Sequence, residues 1–322
     1  MEQATHDLPE TTGAEGISKD RLGLIYSPKP GKGKRWKHVL HYLEQRGAAF
    51  DYVKSENSAD VERLAAMMTR SGYRTIIIAG GDAALNYAIN GIMNTPSPSG
   101  EHPALGVIPM GFANDFARFW GFSASDYRHT VDQLLQRRVR RIDVGRARPY
   151  VPDAADNGPL YFLNCVNVGV AASIINLRHW TRSFLGLRTL SYLLSAFLLI
   201  FQRMSFHIEF ATGGDHFSRR TMALCIGSAR GYGQTPSAVP YNGQLDISLV
   251  SLPQFTQLLH GLWLLFTGRF LSHKGIAVWR SKHIEILSLD HAGFSLDGRF
   301  CPLHAERMTV DILPEEIPFL IP

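Results

Sequence analysis

Thr75-Ile76-Ile77-Ile78-Ala79-Gly80-Gly81-Asp82 decides how the rest of this chain is read. The run Thr75–Ala79 is β-branched and almost wholly apolar, with no polar alternation, which marks a strand buried on both faces of a parallel sheet. Two glycines and a carboxylate follow at once, and Ala84–Ile92 reads as a helix. In open α/β sheets, ligands bind beyond the carboxyl ends of the strands. Glycines there let backbone N–H groups approach phosphate oxygens, and a helix N-terminus adds a positive dipole. Asp82 is placed to hold Mg2+ or accept a proton, and it is equally well placed to cap the helix.

Moving outward, the same layout recurs at Leu105-Gly106-Val107-Ile108-Pro109-Met110-Gly111-Phe112-Ala113-Asn114-Asp115-Phe116-Ala117-Arg118. A strand, a proline and a glycine lead to Asn114-Asp115 opening a helix, with either residue a candidate cap. Two such turns in one sheet would line one phosphate site. Before them, Leu22–Tyr26 and Phe50–Val53 read as strands. Arg35–Gln45 and Ser58–Ser71 read as helices closed by Gly47 and Gly72. Strand–helix alternation of this kind predicts a doubly wound parallel sheet with helices on both sides.

After about residue 142 short strand-like segments dominate: Phe162–Val166, Ser205–Ala211, Thr221–Ile226, Leu245–Val250, His283–Leu289, Phe294–Leu296 and Met308–Leu313. Helical inserts near 187–203 and 255–267 interrupt them. This predicts a mainly antiparallel β domain. The expected organisation is a disordered tail over 1–18, an α/β nucleotide-binding domain over 19–142 and a β-rich domain over 143–322. The last segment of the β-rich domain is free to pack back on the first domain.

The chain has 322 residues, 45% of them apolar and 19% charged. That length fits about two domains of roughly 100–200 residues each, and the apolar fraction is too high for disorder. Cys165, Cys225 and Cys301 are far apart and odd in number. This argues against a disulfide framework or a Cys-rich zinc site and fits a reducing compartment. Lys+Arg total 33 against 28 Asp+Glu, a surplus of +5. The basic residues form small clusters, Lys29, Lys32, Lys34, Arg35 and Lys37, then Arg137, Arg138, Arg140, Arg141, Arg146 and Arg148. The clusters are small, and no nucleic-acid motif accompanies them. The surplus therefore reads as solvated helix ends, a phosphate-bearing ligand or an anionic membrane surface.

Residues 1–18 carry Glu2, Asp7, Glu10 and Glu15 and have no apolar run, so they do not read as a signal peptide. Thr189–Gln202 is uncharged but has 14 residues, where a span needs about 20. Ile247–Gly268 is long enough but is split by Pro253.

Gly80-Gly81-Asp82, Asn86 and Asn90-Gly91, followed by Gly106, Pro109, Gly111 and the block Asn114-Asp115-Phe116-Ala117-Arg118, resemble the diacylglycerol kinase catalytic-domain family. That family includes the bacterial soluble lipid kinases and the sphingosine and ceramide kinases. Its pattern reads roughly G-G-D-G-T-x-N-E-x-x-N-G, then L-G-x-x-P-x-G-T-x-N-D-F-A-R. The resemblance continues through Ile142-Asp143-Val144-Gly145, Phe162-Leu163-Asn164, Val168-Gly169, Asn242-Gly243-Gln244-Leu245-Asp246 and Leu296-Asp297-Gly298. It implies an α/β nucleotide-binding domain followed by a β-sandwich-like lipid-binding domain. It also implies transfer of the γ-phosphoryl group of Mg-ATP to a lipid hydroxyl, with ATP and Mg2+ required.

On that template Asp297 is the candidate base for the lipid hydroxyl, and Asp82 serves metal or phosphate geometry. Gly80, Gly81, Asn86, Gly111, Asn114, Ser27 and Lys32 would surround the nucleotide. Asp246 is a weak candidate metal ligand. The implied partners are a lipid alcohol (diacylglycerol, a sphingoid base, ceramide or similar) and an anionic membrane surface, with a homodimer left open. The implied location is cytoplasmic, peripherally on the inner face of the membrane.

Several family positions differ here. Ala83 and Ala84 replace the third glycine and the threonine of G-G-D-G-T; alanine in a left-handed conformation would cost about 1 kcal/mol or more. Tyr87 replaces the glutamate, and Phe112 the threonine of the second motif. Asn242 stands for an aspartate that looks like a structural-metal ligand in bacterial members. Arg299 follows Asp297-Gly298 where the family has glutamate, and Ser27-Pro28 replaces Asn-Pro. Arg299 or the Lys29–Lys37 cluster would supply replacement phosphate donors. One reading is a lipid kinase with a rebuilt phosphate site; the other is a weak or inactive relative that binds lipid or nucleotide. An NAD kinase-like enzyme shares the Gly-Gly-Asp turn, but the Asn114–Arg118 block argues against it.

Arg178-His179-Trp180-Thr181-Arg182-Ser183-Phe184-Leu185-Gly186-Leu187-Arg188 mixes cations and aromatics ahead of an apolar helix. The composition suits an interfacial docking element as well as a helix packed on the β domain. If it docks, Trp180→Ser with Phe184→Ser weakens co-sedimentation with anionic vesicles, whereas unchanged sedimentation removes the docking role.

Overall fold

The computed structural model describes residues 21–28, 31–111, 113–152, 158–169, 205–230, 235, 237–251, 275–290, 292–303 and 305–322. The chain forms two compact units, one running to Ile142 and including Glu315–Pro322, the other Asp143–Pro314. The expected helices near 187–203 and 255–267, and the 178–188 element, lie outside the described residues.

The first unit runs β1 (Leu22–Tyr26), α1 (Gly33–Gln45), β2 (Phe50–Lys54), α2 (Asp60–Arg70), β3 (Thr75–Gly80), α3 (Asp82–Met93), β4 (Ala104–Pro109), α4 (Asp115–Phe119) and α5 (Tyr127–Leu135). The strands are parallel in the order β2-β1-β3-β4. β1, β3 and β4 are buried along their whole lengths, as their unbroken apolar runs require. Helix α1 turns Trp36, Val39 and Leu43 inward, and α2 turns Val61, Leu64, Ala65 and Met68 inward, both at helical spacing. Gly47 and Gly72 follow these helices in the left-handed region, at φ 66° and 81°, where a side chain would be strained.

Helix α3 is buried on nearly every side. Its two asparagines are part of its own frame, since Asn90 Nδ2 donates to the Asn86 carbonyl at 2.8 Å. Gly91 lets α3 lie directly on α2, because a Cβ there would stand 2.2 Å from the Glu62 carbonyl oxygen. The Asn-Gly end of the first motif is thus a helix-packing device. The chain's end completes the unit: Phe319 pairs with Leu105 of β4, and its ring sits edge-on to Phe116 at 5.1 Å.

The second unit is mainly antiparallel. Its strands are β5 (Val139–Tyr150), β6 (Leu160–Phe162), β7 (Cys165–Gly169), β8 (Phe206–Thr212), β9 (Asp215–Gly227), β10 (Leu245–Ser251), β11 (Ile276–Ser281), β12 (His283–Ser288), β13 (Phe294–Leu296), β14 (Arg299–Cys301) and β15 (Arg307–Leu320). β5 enters from the first unit, and β15 runs on into it. Strand β9 organises the unit: its first half pairs with β8, and its second half lies between β7 and β10. Period-two alternation puts Val166, Val168, Leu224, Ile226, Ile247, Leu249, Phe294 and Leu296 on one face, where they enter the apolar core.

Three expected strands needed revision, and the one expected over Met308–Leu313 runs from Arg307 to Leu320. The strand expected over Phe162–Val166 is broken at Leu163-Asn164, whose amides turn toward Asp297. The strand expected over Thr221–Ile226 extends back to Asp215, because Gly213-Gly214, at φ 61° and 90°, closes a two-residue hairpin with β8. Its polar start hid it from an apolar-run criterion. Gly91→Ala is expected to destabilise the protein by about 1–3 kcal/mol, read as a lower urea midpoint, because helix backbones must separate.

Candidate functional site

The first unit brings its two glycine turns together. Met110 N–H donates to the Gly80 carbonyl at 2.7 Å, carrying the β3–β4 ladder past the strand ends. Beyond it the turns touch backbone to backbone. A Cβ on Gly81 would lie 2.9 Å from Gly111 Cα, and a Cβ on Gly111 would lie 2.6 Å from Gly81 Cα. A Cβ on Gly80 would meet Ala84 Cβ at 2.8 Å. All three glycines are fixed by close approach.

Asn114 and Asp82 lock this arrangement. Asn114 is buried in the left-handed region at φ 51°; its Oδ1 accepts the Gly111 N–H at 2.8 Å and its Nδ2 donates to the Gly111 carbonyl at 3.2 Å. The Asp82 carboxylate, at the first position of α3, accepts the Asp115 N–H at 3.1 Å and the Phe116 N–H at 3.3 Å. Asp82 therefore caps α4 across space, a stabilising use of a carboxylate at a helix N-terminus. Gly80, Gly81, Asp82, Gly111 and Asn114 form one cluster, while Asn86 lies one turn deeper in α3.

Ser27 adjoins this cluster at the end of β1. Its N–H donates to the Ala79 carbonyl at 3.0 Å, and its Oγ is buried with no hydrogen-bond partner among the described residues. Lys32 precedes α1 as its N-cap residue. In the sequence Arg35 is one member of a basic run. Its Nε and Nη2 are buried without a hydrogen-bond partner among the described residues, and burial lowers its pKa from the usual guanidinium value. A guanidinium left in this condition is suited to an incoming anion. Its place, in the first turn of the helix that follows β1, was the available signal.

Asp297, Arg299 and Asp246 belong to the second unit. Asp297-Gly298 forms the two-residue turn between β13 and β14, with φ 46° and 80°, as Asp-Gly favours. The Asp297 side chain is 2% exposed. Its Oδ2 accepts the Leu163 N–H at 2.8 Å, and its Oδ1 accepts the N–H groups of Asn164 at 2.8 Å and Cys165 at 2.9 Å. The carboxylate thus fixes the turn between β6 and β7 and is itself held in one orientation. The neighbouring Cys165 thiol is pushed well above its ordinary pKa by the Cys225 thiol, by burial and by Asp297. Burial raises the Cys301 thiol to about 11. Arg299 follows the turn, half-buried on β14.

Asp246 is engaged by Arg280, with Nε at 2.6 Å and Nη2 at 3.2 Å from its oxygens. Asn242 Oδ1 accepts the Gln244 N–H at 2.9 Å, and buried Asp143 accepts the Gly243 N–H at 2.7 Å. This turn is held by hydrogen bonds. Among the described residues no group of three or more His, Cys, Asp or Glu side chains is arranged to hold a metal.

Two family models match the chain: the diacylglycerol kinase catalytic domain over residues 21–147, and the YegS C-terminal NAD kinase beta sandwich-like domain over residues 164–320. Residues 21–147 are a domain of the diacylglycerol kinase catalytic-domain family. A diacylglycerol kinase from Staphylococcus saprophyticus is 25% identical over 290 residues, covering 88% of this chain and 90% of that protein. One from Staphylococcus carnosus is 23% identical over 293 residues, covering 88% and 89%. The crystal structure of a diacylglycerol kinase from Bacillus anthracis str. Sterne superposes with a TM-score of 0.67 at 16% identity, covering 95% of this chain and 98% of that one. Yeast NADH kinase complexed with NADH gives a TM-score of 0.52 at 8% identity, covering 94% and 83%. The fold is that of the family: an α/β first domain and a β-sandwich second domain.

Within this family the departure at Ala83 has a different meaning from the one expected. Residue 83 lies inside α3 and is not among the positive-φ residues, so alanine meets no left-handed strain there. The altered Phe112 lies outside the described residues. Ala83→Gly is therefore expected to lower stability by about 0.5–1 kcal/mol, measured by thermal or urea unfolding, through the helix penalty of glycine.

Proposed function

We propose that this chain is an ATP-dependent lipid kinase, cytoplasmic and peripherally associated with the inner face of an anionic membrane. The observation that carries the reading is the contact of Gly81 with Gly111, which keeps side chains away from the start of α3, where phosphate oxygens can approach a helix N-terminus. Ser27 borders the same strand end with an unpartnered hydroxyl, and Arg35, in the first turn of α1, carries unpartnered guanidinium nitrogens; both support an anionic ligand. Magnesium enters on this reading with the nucleotide, as Mg-ATP, because Asp82 is occupied with α4 and Asp246 with Arg280.

In the reaction, a lipid hydroxyl oxygen bonds to the γ-phosphorus as the bond to the bridging β–γ oxygen breaks, and ADP leaves. The hydroxyl proton passes to a base, for which Asp297 is the candidate. Three backbone donors fix its carboxylate, and a base must be held in register with the proton it takes. The chain's task is positioning and charge neutralisation, since phosphoryl transfer asks for little else.

A second reading, a relative that binds lipid or nucleotide without transferring phosphate, is favoured by the commitment of Asp82 to helix capping. Radiolabelled ATP with a panel of diacylglycerol, ceramide and sphingosine separates the two. The kinase reading expects label on a lipid for the wild type and a loss of about a hundredfold or more for Asp297→Asn. Label on no lipid selects the second reading. Transfer that Asp297→Asn leaves intact removes the base assignment.

A further inference from the structure

The second unit's sheet has a polar face opposite its apolar core. Ser295 pairs with Asn167, Asn167 with Cys225, Cys225 with Ser248, and Ser248 with Val278. Cross-strand partners share a face, so these side chains form one row across five strands. Their strand neighbours Val166, Leu224, Ile247 and Leu296 all point into the core.

Two adjacent members of the row are anomalous. Asn167 is 1% exposed and Ser295 0%, and neither Asn167 Oδ1 nor Ser295 Oγ has a hydrogen-bond partner among the described residues. The other end of Asn167 is engaged, since its Nδ2 donates to Cys165 Sγ at 3.3 Å. That bond fixes which amide atom is left over, namely the acceptor. Asn164 Oδ1, beside the turn that Asp297 holds, is a third buried acceptor in the same condition. A buried polar atom without a partner costs about 1–3 kcal/mol, so a cluster of them needs an external group to satisfy it. Along the row, Ser248 and Val278 line a cavity of about 310 Å3 together with Asp246 and Arg280.

The chemistry of the missing group follows from what is present. Asn167 Oδ1 requires a donor, and Ser295 Oγ can donate or accept. A neutral hydroxyl meets both needs. A cationic amine would want a carboxylate, and among the described residues the carboxylates of Asp297 and Asp246 are engaged, Asp297 by three backbone N–H groups and Asp246 by Arg280. The thiol of Cys165, next to them, stays protonated through its contact with Cys225 and its burial.

We propose that Asn167 and Ser295 form a hydroxyl-reading subsite that selects uncharged lipid alcohols over cationic sphingoid bases. The proposal rests on the lipid-kinase reading for its choice of ligand.

The test measures binding by the full chain without nucleotide, so it is independent of catalysis. The probes are dioctanoylglycerol, its deoxy counterpart dioctanoylpropanediol, and sphingosine, each in detergent micelles. Wild type is expected to bind dioctanoylglycerol about tenfold or more tightly than the deoxy probe, roughly the worth of a buried hydrogen-bonded hydroxyl. Asn167→Leu and Ser295→Ala are each expected to shrink that gap, a change that a purely structural role would not produce. Ser295→Ala removes one oxygen and keeps the test usable if Asn167→Leu fails to fold.

A gap that survives in the folded variants, a wild type that ignores the hydroxyl, or tighter binding of sphingosine overturns the proposal. A water molecule bridging Asn167 and Ser295 would give such a result, with stability alone affected. If the gap behaves as expected but no label moves from ATP to dioctanoylglycerol, the subsite stands and the kinase reading falls.

Discussion

The contact between Gly81 and Gly111 is the constraint on which the first domain's arrangement depends. Two βα turns from neighbouring strands meet with no side chain between them, and each lacks room for even a methyl group. Once they meet, Asn114 closes the second turn, and Asp82 reaches from one helix to cap the next. The same bare backbone that permits the contact is what an oxyanion would need. On the kinase reading, packing and ligand access are one requirement here, met by the same residues.

Much of this was legible in the sequence because it has local causes. The unbroken apolar run Thr75–Ala79 and the helix faces of Arg35–Gln45 and Ser58–Ser71 gave elements within a few residues of those observed. The glycine turns were visible for the same reason. What stayed hidden depends on long-range partners. Nothing local to Leu163-Asn164 says that a carboxylate 133 residues away ends the strand there. Nothing in Asp215–Arg220 suggests a strand until Gly213-Gly214 pairs it with β8. The orphaned atoms of Arg35, Asn167 and Ser295 have no sequence signature, since a missing partner is defined only by the folded surroundings.

The family motif divides into parts with different jobs. Gly80, Gly81 and Gly111 are held by steric contact, Asn86 and Asn90 by a hydrogen bond inside α3, and Gly91 by the approach of α2. Such positions can persist whatever chemistry the domain performs. The positions that depart are of another kind: Ala83 sits in ordinary helical backbone, and Asn242 lies in a turn secured by hydrogen bonds with Asp143 beside it. Sequence comparison weighs these substitutions alike, whereas the structure separates those that touch the frame from those that leave it intact.

The return of the chain's last residues has a consequence for how the protein is made. Phe319 completes the first domain against Phe116 and Trp120, and Leu320 occupies the space above Gly106. The whole second domain is translated between Ile142 and those residues. On the ribosome, the domain that emerges first therefore waits with a gap in its core until residues 315–322 have been made. Nascent chains elongate at about 5–20 residues per second, so that interval is on the order of ten to forty seconds. During it the exposed aromatic floor is a natural substrate for chaperones, and the domain made first is the last to be finished.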